Sequence, residues 1–168
     1  MLLVSWNVNG VRARSGRLLA WLEAKQPDVV CLQETKSLDE GMPTEALRGL
    51  GYQVAHWGQK SFNGVAILSR RPALELRRGF DDGVDDPQAR FLAARFEAGW
   101  VASVYVPNGS EPSSEKYAYK LRWLARLRAY LERHRPDEPL ALCGDFNIIP
   151  EAIDAARPED WYGGVLYT

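Results

Sequence analysis

Chemistry is most concentrated in Ala141-Leu142-Cys143-Gly144-Asp145-Phe146-Asn147-Ile148-Ile149-Pro150, where an apolar run enters a glycine and then presents a carboxylate and a carboxamide one residue apart. In extended chain, residues i and i+2 share a face. Asp145 and Asn147 are therefore expected to project together from the end of a buried strand, with Phe146 turned to the core and Pro150 ending the hydrogen-bonded run. A lone Gly-Asp-x-Asn fits an Asx-type turn equally well. Its weight comes from other apolar runs that also end in polar groups: Asn7, Glu34, and Tyr105 with Asn108. Carboxylate and amide oxygens without histidine or thiolate form a hard-oxygen set that suits Mg2+, with Mn2+ as a substitute. Glu34 is the first expected ligand with Asn7 beside it, and Asp145 and Asn147 complete the expected metal set. A metal so held neutralises charge on a phosphoryl oxygen. Asp145 can orient or deprotonate a water, Asn147 can donate to a phosphate oxygen, and Tyr105 can add a phenolic donor to the same group.

Each of these side chains needs an element to deliver it. Met1 to Val8 reads as a strand bounded by the Asn9-Gly10 turn pair, and Ser15 as the cap of a helix with Leu18, Leu19 and Leu22 on one face, ended before Pro27. Asp28 to Gln33 is a near-continuous apolar run, the pattern of a strand covered on both faces. A short helix around Pro43 to Leu50 precedes strands at Tyr52 to Trp57 and Gly64 to Ser69. Further strands at Leu74 to Arg78, Arg90 to Glu97 and Trp100 to Val106 follow at the spacing of antiparallel meanders. A long helix is expected from about Ser114 to His134, its core face marked by Leu121, Leu124, Leu127 and Leu131. Leu140 to Cys143 is the last strand, and Ala152 to Thr168 reads as loop. This order predicts a layered α/β fold with a mixed sheet, in one domain spanning residues 1–168.

Composition excludes several classes. Lys and Arg number 21 against 22 Asp and Glu, so no global basic field announces a polyanion partner. Local patches remain: Arg12, Arg14 and Arg17, then Lys60, Arg70 and Arg71, then Lys116, Lys120 and Arg122, each of which taken alone reads first as a solvated charge. Cys31 and Cys143 lie in apolar runs, with no zinc-site spacing, which points to a reduced, cytoplasmic protein. No stretch has the length of a membrane span, and the first residues lack the cationic lead of a signal peptide. The acidic run Asp81-Asp82-Gly83-Val84-Asp85-Asp86 lacks the alternating ligands of a calcium loop and reads as solvated.

Five segments, Ser5-Trp6-Asn7-Val8-Asn9-Gly10-Val11-Arg12-Ala13, Leu32-Gln33-Glu34-Thr35-Lys36, Asn63-Gly64-Val65-Ala66-Ile67-Leu68-Ser69, Tyr105-Val106-Pro107-Asn108-Gly109 and Gly144-Asp145-Phe146-Asn147, together resemble the exodeoxyribonuclease III family of abasic-site endonucleases, within the endonuclease/exonuclease/phosphatase superfamily. The resemblance implies a Mg2+-dependent phosphodiesterase that cuts double-stranded DNA on the 5′ side of abasic sites and trims 3′ ends, working as a monomer when complete. It assigns Asn7 and Glu34 to the metal, Tyr105 to a catalytic hydrogen bond near the phosphate, Asp145 to the water or leaving-group proton and Asn147 to transition-state stabilisation. Arg12, Asn108 and Arg90 match positions that hold the DNA backbone, contacts that place a duplex without reading its sequence. Asn9 stands where some relatives carry aspartate, and is a secondary metal-site candidate.

Family members continue past this point through further strands, a later aspartate and a terminal Ser-Asp-His segment. His56 and His134 do not substitute for that histidine and are expected to be structural. The resemblance therefore implies an α/β sandwich with its second sheet incomplete, corresponding to the N-terminal two-thirds of the enzyme, and weak or no activity in this form. Two alternatives stay open: a catalytically dead module that binds DNA or a partner chain, and a phosphoesterase of another superfamily branch.

Overall fold

In the computed structural model, which describes residues 1–167, the chain forms two compact units. The first takes Met1–Tyr105 and His134–Asp145; the second takes Val106–Arg133 and the chain from Phe146 onward.

The first unit opens with β1 (Leu3–Asn7), α1 (Val11–Lys25) and β2 (Val29–Gln33), then α2 (Thr44–Gly49), β3 (Gln53–Trp57) and β4 (Val65–Ser69). Strands β5 (Glu75–Arg78), β6 (Phe91–Phe96) and β7 (Gly99–Tyr105) follow as an antiparallel meander. After α3 (Glu115–Arg133), which belongs to the second unit, β8 (Leu140–Asp145) returns to the first. The strands make two four-stranded mixed sheets, ordered β1-β2-β4-β3 and β5-β6-β7-β8. Both layers of the expected sandwich are thus in place, and β8, an edge of the second sheet, is half-exposed along its whole length.

The parallel pairings set the site. β1 lies parallel to β2 with Asn7 opposite Gln33, and β7 lies parallel to β8 with Tyr105 opposite Asp145. Parallel neighbours need a crossover, and α1 supplies the first. All five residues of β2 are buried, as its unbroken apolar run requires. Val30 and Leu32 turn to the side where Val11, Leu18 and Leu22 of α1 and Leu47 of α2 pack. Val29 and Cys31 turn the other way and meet Leu92, Ala94 and Val101 of the second sheet. No helix among the described residues is long and apolar enough to cross a membrane.

Three local expectations change. α1 begins at Val11 rather than at a Ser15 cap, because the chain leaving β2 satisfies its first donors: Gly10 N–H donates to the Glu34 carbonyl at 2.7 Å and Val11 N–H to the Thr35 carbonyl at 3.0 Å. Ser15 lies inside the helix and donates to the Arg12 carbonyl. The face of α3 also shifts, since Lys120, Trp123, Leu127 and Tyr130 are buried while Leu121 is half-exposed. Aromatic rings bury more area than leucines and outrank them at this spacing. Lys120 is thereby removed from the surface basic patch. Last, β8 runs on through Gly144 to Asp145, and Phe146 is partly exposed rather than folded into a core.

Gly144 explains that extension. A Cβ there would collide with the carbonyl and side chain of Val104 on β7, so only glycine lets β8 press against its neighbour up to Asp145. Gly144→Ala is expected to destabilise the protein by about 1–3 kcal/mol, the usual cost of overpacking, measured by denaturant unfolding.

Candidate active site

Four expected residues meet in the first unit. Asn7, at the end of β1, donates from Nδ2 to Glu34 Oε1 at 2.7 Å and to Asp145 Oδ2 at 2.8 Å, while its Oδ1 accepts the Asn9 backbone N–H at 3.0 Å. One carboxamide thus sits between two carboxylates carried by different sheets. Glu34 follows β2 in a left-handed conformation with φ +53, and Lys36 shares that geometry at φ +50. The chain folds back so that Lys36 Nζ reaches Glu34 Oε2 at 2.7 Å and Asn9 Oδ1 at 2.5 Å. Between them Thr35 is fully buried, its hydroxyl 2.9 Å from His56 Nε2, while His56 Nδ1 lies 2.9 Å from Asp39. His56 is structural, as expected: it anchors the turn that presents Glu34.

Burial alone would raise the Glu34 carboxyl, but hydrogen bonds from Asn7, Lys36 and Tyr105 and the charge of Lys36 outweigh it and hold its pKa below the ordinary value. Tyr105 responds in the opposite sense. Burial, then the neighbouring Glu34 charge and hydrogen bond, and more weakly Asp145, push its pKa up to about 12 against the pull of Arg90. Its hydroxyl therefore keeps its proton and serves as a donor at neutral pH.

Arg90 does not extend outward. Its guanidinium stacks over the Tyr105 ring at 4.9 Å, and its Nε and Nη1 donate to Gln88 and to the Tyr105 carbonyl. Arg12 stands exposed in the first turns of α1. Asn9 is engaged by Lys36. His134 lies 2.7 Å from the Glu138 carbonyl, closing the turn before β8.

The second unit carries Asn108 and Asn147. Asn147 is left-handed, φ +49, so the strand alternation that would pair it with Asp145 stops one residue short. Its Nδ2 donates to the Val106 carbonyl at 2.9 Å, and Asn108 Nδ2 approaches its Oδ1 at 3.5 Å. The two halves of Gly-Asp-x-Asn belong to different units.

Lys36 and the linked trio Thr35, His56 and Asp39 are not marked as contributors by sequence. Lys36 stands two residues beyond Glu34, where a bent strand end brings i and i+2 together, and that spacing could have revealed it. Thr35, His56 and Asp39 are scattered along the chain, and no local signal joins them. As a metal site the donor set is all oxygen, the Glu34 carboxylate and Asp145; Asn7 presents its Nδ2 to both of them and its Oδ1 to the Asn9 N–H, so here it ties the carboxylates together and does not add a third oxygen between them. No group of three acidic, histidine or cysteine side chains suited to a metal occurs among the described residues. That chemistry fits a hard cation that keeps most of its water.

A family model described as the Endonuclease/Exonuclease/phosphatase family matches residues 4–165. The chain is 40% identical over 160 residues to the exodeoxyribonuclease III of Haemophilus influenzae, an alignment covering 92% of this chain and 60% of that one. Among solved structures it is similar to the 3′ phosphatase NExo from Neisseria bound to a product DNA hairpin, with a TM-score of 0.94 and 34% identity over 99% of this chain and 65% of that one. An AP endonuclease from Archaeoglobus fulgidus gives a TM-score of 0.93 and 36% identity, over all of this chain and 66% of that one. The chain thus spans about three-fifths to two-thirds of these relatives.

Removing the Lys36 ammonium isolates its hold on Glu34. In Lys36→Met, burial is left opposed only by Asn7 and Tyr105, and the Glu34 pKa is expected to rise. Carboxyl titration by NMR reads the shift, and an unchanged Glu34 would contradict the ion pair. Because the folded pKa is depressed, the stability that Glu34 contributes is present above its unfolded pKa and lost as pH falls through the folded one. The variant moves that loss to higher pH.

Proposed function

Because the chain belongs to the endonuclease/exonuclease/phosphatase family, we propose that it is part of a DNA-repair phosphodiesterase of exodeoxyribonuclease III type, acting 5′ to abasic sites and at 3′ ends of duplex DNA. The observation that supports this most is the Asn7 carboxamide held between Glu34 and Asp145. Its two N–H donors hold both carboxylates in place at one point. Glu34 would hold Mg2+ or Mn2+, joined by the Asn7 amide oxygen once that side chain turns from the Asn9 N–H, and such an ion would supply charge neutralisation at a phosphate oxygen.

The remaining steps belong to the chain itself. Asp145 accepts the proton of the attacking water as the water oxygen bonds to phosphorus and the phosphorus–oxygen bond to the departing strand breaks, the departing oxygen taking up a proton from solvent. Asn7 orients Asp145 for this. Tyr105 keeps its proton, and when substrate binds its single O–H turns from Glu34 to donate to phosphate instead of competing as an anion. Asn147 stabilises the charge that develops on phosphate oxygens through its carboxamide. Arg12 and Asn108 hold the DNA backbone, and Arg90 contributes by stacking under Tyr105. The chain spans about three-fifths to two-thirds of its relatives, and the complete enzyme would work as a monomer in the cytoplasm, where Cys31 and Cys143 stay reduced.

A second reading, a module that binds duplex DNA without cutting it, is favoured by Glu34, whose two oxygens are already taken by Asn7 and Lys36. One assay separates the two. A duplex with a single abasic site is incubated with the purified chain and Mg2+. Incision that falls by roughly 10²- to 10⁴-fold in Asp145→Asn supports general-base catalysis, and abolition in Glu34→Gln supports the metal assignment. Salt-sensitive binding with no incision selects the binding module. Faster hydrolysis of small phosphomonoesters or phosphorylated lipids would move the protein to another branch.

A further inference from the structure

Lys120 is counted among the basic residues by sequence, yet its side chain is only 2% exposed. Its ammonium has three N–H donors, and all three are taken by backbone carbonyls: Asn108 at 3.3 Å, Asn147 at 2.7 Å and Val165 at 2.6 Å. No donor is left for a phosphate. The partners come from three separate segments of the second unit, and two of them are the residues assigned above to phosphate chemistry.

The backbone around the ammonium is shaped to admit it. Gly109, φ +101, follows Asn108, and a Cβ there would lie 3.2 Å from Lys120 Cδ, 3.3 Å from Tyr117 Cδ2 and 3.5 Å from Val165 Cβ. Glycine therefore does two things here: it takes the left-handed turn, and it leaves the space through which the lysine stem passes. On the other side Asn147 holds a left-handed backbone unusual for a residue with a side chain. A carbonyl bound to a buried cation holds its peptide plane and with it the left-handed turn at Asn147, and from that turn the carboxamide donates to the Val106 carbonyl at 2.9 Å.

We propose that Lys120 is a positioning residue, a buried ammonium that clamps the Asn108 and Asn147 carbonyls so that both carboxamides are held ready for a phosphate without Lys120 touching DNA. The proposal rests on the phosphodiesterase reading for its catalytic consequence, and on geometry alone for the clamp.

The test compares Lys120→Met, Asn147→Ala and the double variant in the full chain. Amide hydrogen exchange reads the clamp directly. Lys120→Met is expected to speed exchange roughly tenfold or more at Ile149 and Glu111, which lie beside the clamped segments, while β2 amides such as Leu32 keep their wild-type rates. In DNA incision, Lys120→Met is expected to lower kcat more than it raises KM, and adding it to Asn147→Ala is expected to cost less than it does alone, because part of its effect runs through the Asn147 carboxamide. Uniformly faster exchange through β2, unchanged exchange at Ile149, or losses that multiply in the double variant would each overturn the clamp. If Met does not fold, Lys120→Gln, which keeps two N–H donors, is expected to give intermediate exchange at the same two amides. Should the wild-type chain cut no DNA, the phosphodiesterase reading fails by itself, and the exchange measurement still decides the clamp.

Discussion

Two carboxylates facing one another across a sandwich repel, and the arrangement persists because a neutral amide with two N–H donors stands between them. Asn7 is that amide, and much of the first unit serves to put it there. β1 must run parallel to β2 so that Asn7 and Glu34 leave the sheet at the same end. β8 must run parallel to β7 so that Asp145 arrives beside Tyr105. α1 must begin at Val11, since its first N–H groups bind the carbonyls of Glu34 and Thr35 and hold the turn closed. An aspartate in place of Asn7 would supply no donors and add a third negative charge.

The strands and helices were legible because their signals are local. The continuous apolar run of β2, the turn pair after Asn7 and the meander spacing of β5 to β7 each report on a few neighbouring residues. The same is true of the site residues at strand ends, since a polar group closing an apolar strand is a local pattern. What stayed hidden depends on backbone twist or on distance. Asn147 breaks the alternation because its backbone turns left-handed, a conformation its sequence permits without announcing. The buried face of α3 was misplaced because leucine periodicity was weighed without Trp123 and Tyr130. Lys120 looked like surface charge because nothing adjacent in sequence names the three carbonyls that bind it.

Charge within the first unit is arranged as a relay of restraint. Lys36 neutralises one oxygen of Glu34 and Asn7 binds the other, so Glu34 stays ionised in a place where burial alone would favour its proton. That same ionised Glu34 is among the reasons Tyr105 keeps its own proton. One carboxylate thus adds to what burial already does to its neighbour, and the hydroxyl that donates to it keeps its proton.

The position of β8 in the chain gives the site a birth order. Asn7 and Glu34 lie 27 residues apart, joined through a parallel pair that a single helix closes, whereas the bond from Asn7 to Asp145 spans 138 residues. Pairings of such separation close late, because the entropy of the intervening loop must be lost before contact repays it. On the ribosome the first half of the charged cluster can assemble while α3 and β8 are still unmade. Asp145, the proposed base, arrives after the seven earlier strands, so a nascent chain can fold its first sheet long before it acquires the chemistry to act on a phosphate.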